Sequence, residues 1–389
     1  MIFKIRSIFN SIFYTKHPSK VKICLNFDSF AHKYFRIMSR KLIFLLFLIP
    51  QFVICQSSQD MVKEKDRYAF GQIYTGFRYG FKDTYKPQAA FEFNQGIIGY
   101  FHQIAPSVSG KIMFDVTRTT NITSVKDSSG QSMTVTYFEG SKYTAYLKMA
   151  EIKWDINEYL ALRVGQLLNT QYLTFIDPFW GYRYVDVTFQ ERSQFDMNYP
   201  DRVRLGQPAD FGVQFDVKVK DKFLNQFSVV NGEGPFRQQD LNGKFIFSDN
   251  IQYSPVKNLT LKLYGDYGPA IDTGAAYGDK WVISGFAGYK TAKFRIGGEY
   301  DFVNNYGWMK GRDYSGFSIF GGWNFIGKFD VLARWDYLQM KTPLDTDHQN
   351  YYIVGCQYEP VKMFTMAVNF RYLSFEELPF VYANFGLKF

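Results

Sequence analysis

The second half of the chain alternates apolar and polar residues in segments of about ten, the length of a membrane-spanning strand. Residues 258–267, 293–303, 328–338 and 362–372 show the pattern most clearly, and in each the charged side chains keep to one face. Successive side chains of a β-strand point to opposite faces. These segments are therefore predicted strands with one apolar and one polar face.

Similar segments recur along most of the chain, and their connections alternate between very short and long. The two residues Asp221 and Lys222 form one short turn, whereas 168–209 is the longest connection and follows the fifth strand. An additional hairpin around Tyr182 to Phe189 would raise the count from 16 to 18. The predicted strands are 68–81, 88–101, 107–120, 142–155, 159–167, 210–220, 223–232, 243–254, 258–267, 279–290, 293–303, 314–325, 328–338, 349–359, 362–372 and 380–389.

An even number of two-faced strands favours an all-β fold, a transmembrane antiparallel β-barrel of about 16 strands. In lipid every main-chain N–H and C=O needs an internal partner, and a closed barrel supplies one without helices. Aromatic residues make up 20% of the chain, with 29 Tyr and 41 Phe, as aromatic girdles at the lipid surface require. A soluble β-sandwich also alternates, but it does not explain so many aromatic residues at strand ends.

A short apolar run over 42–49 lies between the basic pair Arg40–Lys41 and the polar residues after Cys55. It is too short to span a bilayer and is typical of a signal peptide. We expect residues 38–55 to be removed by cleavage before Gln56. A lipoprotein acylated at Cys55 is the alternative, although the bulky Ile54 is unfavourable for it.

Met38 is the expected start of translation, which makes residues 1–37 an upstream extension without function. A genuine basic leader is the alternative. Residues 1–37 carry a net charge of +6 and Arg40 with Lys41 adds +2, so only +1 of the total +9 remains in the mature chain. The basic balance therefore does not indicate a nucleic-acid partner. Residues 56–67 are a predicted short periplasmic segment, and 68–389 are the predicted barrel.

Cys356 would be the only cysteine left after cleavage, so no disulfide is expected within the mature chain. It occupies an apolar position of an alternating strand and is predicted to face lipid.

The last segment alternates from Val381 to Phe389, where the chain stops. A terminal Phe on a two-faced strand resembles the signal that the outer-membrane barrel assembly machinery reads. We therefore predict that Phe389 is an assembly signal, and that an even strand count leaves both termini in the periplasm.

Three stretches resemble the phosphate-selective porin O and P family of the Gram-negative outer membrane. They are 150–166, which ends in Leu-Arg-Val-Gly-Gln, then 210–214 with Asp-Phe-Gly-Val-Gln, and 227–234, which ends in Asn-Gly-Glu-Gly. The resemblance covers most of 68–389. It implies a 16-stranded, usually trimeric porin with a narrowed pore, and solutes that are small and polar, anions such as phosphate among them.

The connection 168–209 is the candidate constriction, because loops of this length are functional or disordered and its many aromatic rings argue against disorder. We predict that it folds into the lumen, with Arg183 and Arg192 near wall carboxylates such as Asp216 or Glu299. An external position, or a contact with a neighbouring subunit, is the alternative. The candidate pore-lining residues are Arg163, Arg183, Arg192, Arg202, Arg204, Lys218, Lys262, Arg295, Arg334, Asp216 and Glu299.

Both charge signs occur along the predicted wall and in this connection, which suggests a general or only mildly selective pore. No metalloprotease, P-loop, nucleophile-elbow or Cys/His metal motif is present, so we expect no enzyme, no cofactor and no metal. The predicted function is passive diffusion of small polar or ionic solutes through an integral outer-membrane porin. A non-catalytic adhesin or scaffold barrel with an occluded lumen is the alternative from another class.

Overall fold

A computed structural model describes residues 66–82, 87–118, 124–126, 132–134, 143–192, 194–196, 199–235, 243–343, 345–374 and 377–389. The predicted extension, the signal peptide with its cleavage site and nearly all of the predicted periplasmic segment lie outside the described residues.

Sixteen antiparallel strands form one closed barrel in which each strand pairs with the next along the chain. The ring closes because Gln72 to Gly80 pair with Phe380 to Lys388. The strands are β1 (Arg67–Gly80), β2 (Ala89–Ala105), β3 (Val108–Arg118), β4 (Tyr143–Asp155), β5 (Leu160–Leu168), β6 (Ala209–Val219), β7 (Phe223–Val230), β8 (Ile246–Tyr253), β9 (Leu259–Gly268), β10 (Lys280–Lys290), β11 (Phe294–Asn304), β12 (Asp313–Ile326), β13 (Phe329–Lys341), β14 (Thr346–Val361), β15 (Phe364–Leu373) and β16 (Leu378–Lys388).

All sixteen predicted strands are confirmed, and so is the position of the longest connection after the fifth. The 18-strand alternative is wrong, because residues 182–189 form turns and extended loop instead of a strand. Their rings pack inside the barrel, so these residues have no place in its wall. Two short hairpins lie outside the barrel sheet, Ser124–Lys126 with Ser132–Thr134 and Gln194–Asp196 with Tyr199–Val203.

The barrel is inverted relative to a soluble protein, which buries apolar and exposes polar side chains. Large apolar residues such as Phe91 and Val368 are 88% and 61% exposed on the outer face. Polar residues such as Asn250, Asp301 and Asn384 are fully buried on the inner face. This partition is what a transmembrane barrel requires, since a charge on the lipid face costs up to about 2–4 kcal/mol at the bilayer midplane. Cys356 is free and exposed, as its outward position predicts.

Short turns collect at one end of the barrel and long connections at the other. Residues 106–107 and 327–328 are short turns, whereas 169–208 joins β5 to β6 at the opposite end. None of the helices among the described residues is long and apolar enough to cross a membrane.

The β5–β6 connection enters the barrel. We call residues 169–192 the lumen segment. It contains one short helix, α1 (Ile176–Trp180), which Gly181 ends with a left-handed φ of 72°. A side chain at Gly181 would also overlap the guanidinium of Arg295 on the wall, so the position needs glycine for two reasons.

Aromatic rings of the lumen segment form a core with apolar residues of the inner wall. Tyr172, Ile176, Trp180 and Tyr182 are at most 1% exposed. They pack in one cluster with wall residues that include Phe286, Phe320, Leu332, Tyr351 and Ile353. The predicted inward fold is therefore present, and the rings explain it, because they bury apolar area that water would otherwise contact.

Glycines of the wall let the lumen segment approach closely. A Cβ atom at Gly316 would lie 2.6 Å from the Phe189 ring, and one at Gly386 would lie 2.9 Å from Tyr184. Gly322 similarly faces the Tyr182 side chain. Larger residues at these positions would push the segment away from the wall.

The last residue closes the β1–β16 seam. Phe389 and Gly71 exchange two main-chain hydrogen bonds of 3.0 and 2.8 Å, and the Phe389 ring covers Gly71 while remaining 62% exposed. We expect deletion of Phe389 to reduce the in-cell yield of assembled barrel severalfold. The refolded barrel should lose only about 2 kcal/mol, the value of one apolar side chain.

The measurement compares outer-membrane yield with the unfolding of refolded protein in urea, using Phe385→Ala on the same face as control. Equal in-cell yields of the wild type and the shortened chain would remove the basis for an assembly role.

Candidate functional site

Basic side chains from four wall strands donate to main-chain carbonyls of the lumen segment. Lysine and arginine are strong donors because their hydrogen bonds carry a charge. The four strands are β9, β11, β13 and β15, so the donors lie on alternate strands of one side of the barrel. The bonds run from Lys262 to Gln171 (2.5 Å), Arg295 to Trp180 (3.2 Å), Arg334 to Val187 (2.5 Å) and Arg371 to Val185 (2.5 Å).

These bonds satisfy main-chain carbonyls that have no partner in regular secondary structure. The last carbonyls of a helix lack partners inside the helix, and at the end of α1 the carbonyls of Phe179 and Trp180 both accept from Arg295. Irregular chain buried in the lumen leaves further carbonyls without neighbours. An unsatisfied buried carbonyl costs about 1–3 kcal/mol. The wall arginines therefore hold the segment in place.

Wall carboxylates bind the segment as well. Asp301 accepts hydrogen bonds from Gln171 (3.0 Å) and Gln190 (3.2 Å), and Gln190 also donates to Glu299. Asp330 accepts from the Tyr182 hydroxyl at 3.1 Å. Glu299 is thus inside the lumen as predicted, but its partner is an amide of the segment and not an arginine.

Arg183 joins the segment to the opposite side of the barrel. Its guanidinium donates to Gln95 on β2 (2.9 Å) and pairs with Asp177 (2.8 Å) and Glu191 (2.6 Å). Glu191 also lies 4.0 Å from Lys148 on β4. Burial raises the pKa of Glu191, but Arg183 and Lys148 more than reverse this and hold it at about 2.

The segment therefore crosses the lumen. Gln190 bonds to β11, while the next residue, Glu191, reaches β4. These two strands are seven positions apart in the ring of sixteen, so they are nearly opposite each other. The segment that we predicted to narrow the pore therefore also extends from one side of the barrel interior to the other.

Arg183 and Arg192 lie inside the barrel, and Arg192 lies near a wall carboxylate as expected, although this carboxylate is neither Asp216 nor Glu299. Arg192 lies 3.5 Å from Asp336 and 4.1 Å above the Tyr351 ring, whereas Arg183 pairs with carboxylates of its own segment. Asp216 instead pairs with Arg163. Arg183 therefore pairs within its own segment, and Asp216 pairs with a residue of the adjacent wall strand.

Arg163 is a predicted pore residue that keeps contact with solvent. Its side chain is 25% exposed and lies between Glu151 (2.8 Å) and Asp216 (2.7 Å). Lys218 is more exposed still, at the short-turn end of β6. Lys262, Arg295 and Arg334 bond to the lumen segment. Arg204 donates its main-chain N–H to Tyr306 (3.2 Å), and the side chain of Arg202 lies outside the described residues.

Sequence patterns missed several residues that fasten the segment. Lys148 sits where β3 and β4 shift register between Met113 and Phe114, so the alternation that marks inward positions breaks there. Gln171 and Gln190 are uncharged residues in an irregular loop, where no period indicates direction. Arg371 follows the alternation of β15, but the sequence pattern does not distinguish an arginine that binds the segment from one that lines the pore.

Among the described residues no group of three or more His, Cys, Asp or Glu side chains is placed to hold a metal ion.

Comparison with known proteins identifies the fold. No protein-family model matches the chain, and no curated protein matches it significantly. Salmonella typhi OmpF in complex with daunomycin superimposes with a TM-score of 0.57 at 10% identity, over 83% of this chain and 97% of that one. The anion-selective porin of Comamonas acidovorans gives 0.55 at 11% identity, over 83% and 99%. Pseudomonas putida OprB at high pH gives 0.56 at 10% identity, over 84% and 94%. At these identities the likeness shows that the fold is that of outer-membrane porins.

We expect Arg371→Met to loosen the lumen segment without opening the barrel. The substitution leaves the Val185 carbonyl without its donor, which costs about 1–3 kcal/mol locally, so amide exchange over residues 183–192 should accelerate about tenfold or more. Hydrogen exchange read by mass spectrometry measures this. Arg163→Met is the matched control, because Arg163 pairs only with wall carboxylates. Equal acceleration in both variants, or none in either, would contradict a clamping role.

Proposed function

We propose that this chain is an integral outer-membrane porin through which small polar or ionic solutes diffuse passively past the lumen segment. The observation that carries the proposal is the closed barrel with an apolar outer face and a charged inner face, which a long inward connection narrows. Short turns and both ends of the described barrel then face the periplasm, and the long connections face outward.

Mild charge selectivity fits the inner wall better than strong anion selectivity. The resemblance to the phosphate-selective porins would assign the wall arginines to anion binding, yet Arg295, Arg334 and Arg371 donate to the lumen segment. The partly exposed Arg163 has two carboxylate neighbours. A solute that passes Arg163 therefore meets both signs of charge.

A scaffold or adhesin barrel with an occluded lumen is the second candidate. The crossing of the lumen from β4 to β11 favours it, as does the near-complete burial of Gln190 and Phe189. The two proposals differ in one observable, because only a porin carries a steady ionic current.

We further propose a homotrimer assembled with the help of the barrel assembly machinery. Asn225 and Asp249 form a 2.5 Å hydrogen bond on the outer face of β7 and β8, next to the outward Phe227. A carboxylate there is costly in lipid, and a subunit contact would remove that cost. Chemical cross-linking in outer membranes tests the proposal, and a purely monomeric pattern argues against it.

Shortening the lumen segment should widen the pore. We expect replacement of residues 174–190 by a short Gly-Ser linker to raise single-channel conductance severalfold in a planar bilayer. Replacement of the six exposed residues 272–277, between β9 and β10, by a Gly-Ser pair is the control and should leave conductance unchanged. No steady current from the wild-type protein would refute the porin and leave the occluded scaffold.

Arg163 should influence which ions pass. Arg163→Gln leaves Glu151 and Asp216 without their shared cation, so the cation-to-anion permeability ratio should rise severalfold. The effect should be larger in 0.01 M than in 1 M salt, because the screening length falls from about 30 Å to about 3 Å. Reversal potentials across a salt gradient measure it, with Lys257→Gln in the exposed β8–β9 turn as control. A ratio that does not change would place Arg163 away from the ion path.

A further inference from the structure

A cavity of about 160 Å³ lies beside the lumen segment at the long-connection end of the barrel. Strands β5 to β10 and the two ends of the β5–β6 connection line it, whereas Arg163 does not. A water needs only about 10–15 Å³ of such a cavity, so the space holds several waters or one small solute.

Trp308 covers one side of this cavity from an unusual backbone conformation. It follows Asn305 and Gly307 in the β11–β12 connection, and all three have left-handed φ values, 51°, 64° and 60° for Trp308 itself. Bulky residues rarely adopt this region, and such strained positions concentrate at ligand sites. The turn places the partly buried indole beside Gly268 on the inner side of the wall.

Gly268 makes room for the indole. A Cβ atom at Gly268 would lie 3.3 Å from the indole Cζ2 and Nε1 atoms, which is tighter than ordinary van der Waals contact. The neighbouring Tyr306 fixes the turn, because its hydroxyl accepts the Arg204 N–H at 3.2 Å and its own N–H donates to the Arg312 carbonyl at 2.7 Å. The bonded turn and the contact with Gly268 hold the ring at the edge of the cavity, with the Lys280 ammonium 5.4 Å from the ring centroid.

The residues that line the cavity carry equal numbers of positive and negative charges. Arg204 and Lys280 are the cations and Asp210 and Asp266 the carboxylates among its lining residues. Asp210 is already occupied, since it accepts the N–H groups of Gly232 (2.8 Å) and Gly234 (3.2 Å). An ion of either sign would meet as much repulsion as attraction here, so the lining disfavours charged solutes.

One donor and one acceptor of the lining residues lack a partner. Among the described residues nothing hydrogen-bonds to the buried Asp266 Oδ1, although Oδ2 of the same side chain accepts from Tyr264 at 3.1 Å. The buried Trp308 Nε1 likewise has no acceptor. Unpartnered buried groups are costly. A hydroxyl both donates and accepts, so it can partner both groups once their side chains turn towards the cavity.

We propose that this cavity binds a small uncharged polyhydroxylated solute, with Trp308 as its aromatic wall and Asp266 as a hydrogen-bond acceptor. The inference deepens the proposed porin function, because it gives the pore a binding site at its outer end. Aromatic faces combined with a few placed polar groups are the usual composition of small-molecule sites.

Binding is tested on the purified full chain in detergent by titration calorimetry with D-glucose, sodium phosphate and lysine hydrochloride as probes. We expect glucose to bind at least tenfold more tightly than either ion. Trp308→Ala should weaken glucose binding at least tenfold, about 1.4 kcal/mol. Trp323→Ala, on the lipid face and 56% exposed, is the control and should not change it. Equal glucose affinity in wild type and Trp308→Ala would overturn the site.

A second variant tests the charge argument. Asp266→Asn leaves the lining with one excess cation, so phosphate should gain affinity relative to glucose by about tenfold. Tighter binding of phosphate than of glucose by the wild type would overturn the proposed class of solute. Single-channel recording in salt alone separates the two proposals. Glucose binding without a steady current would refute the porin and leave the site, whereas a current without glucose binding would refute the site and leave the porin.

Discussion

A polypeptide segment inside a barrel has no neighbouring strand to bond with, so its main-chain carbonyls need donors from elsewhere. Here lysine and arginine of the inner wall supply them, from Lys262 on β9 to Arg371 on β15. Charged donors suit this task because their hydrogen bonds are worth about 1.5–3 kcal/mol, roughly twice the neutral value. These bonds hold the end of α1 and the chain at Val185 and Val187 against the wall.

Because the carbonyls of the lumen segment need these donors, the inner-wall cations have less effect on a solute. In an open pore, inward arginines would attract anions, but an arginine that donates to a carbonyl and pairs with a carboxylate, as Arg334 does with Val187 and Asp336, offers little to a passing solute. In the proposed porin, selectivity then depends on the few polar groups that remain accessible. Arg163 at the short-turn end and the cavity around Trp308 at the other are such places.

Both signs of charge occur at both places. Arg163 stands between two carboxylates, and the cavity has two cations and two carboxylates among its lining residues. Aromatic and glycine residues complement this balance by shaping the space, as Gly268 does for the Trp308 indole. The proposed porin would then distinguish solutes by size and hydrogen bonding more than by charge.

The sequence by itself determined the barrel. Period-two alternation fixed the strands, and the cost of a charge in lipid fixed which face points inward, so residues such as Lys262 and Arg295 could be placed in the lumen before any coordinates. The length and aromatic content of the β5–β6 connection also indicated its inward fold. Only the tertiary structure decided partners: whether Arg183 meets Asp216 or Glu191, and whether Trp308 faces lipid, solvent or cavity. Those choices depend on irregular backbone, where no period relates sequence to direction.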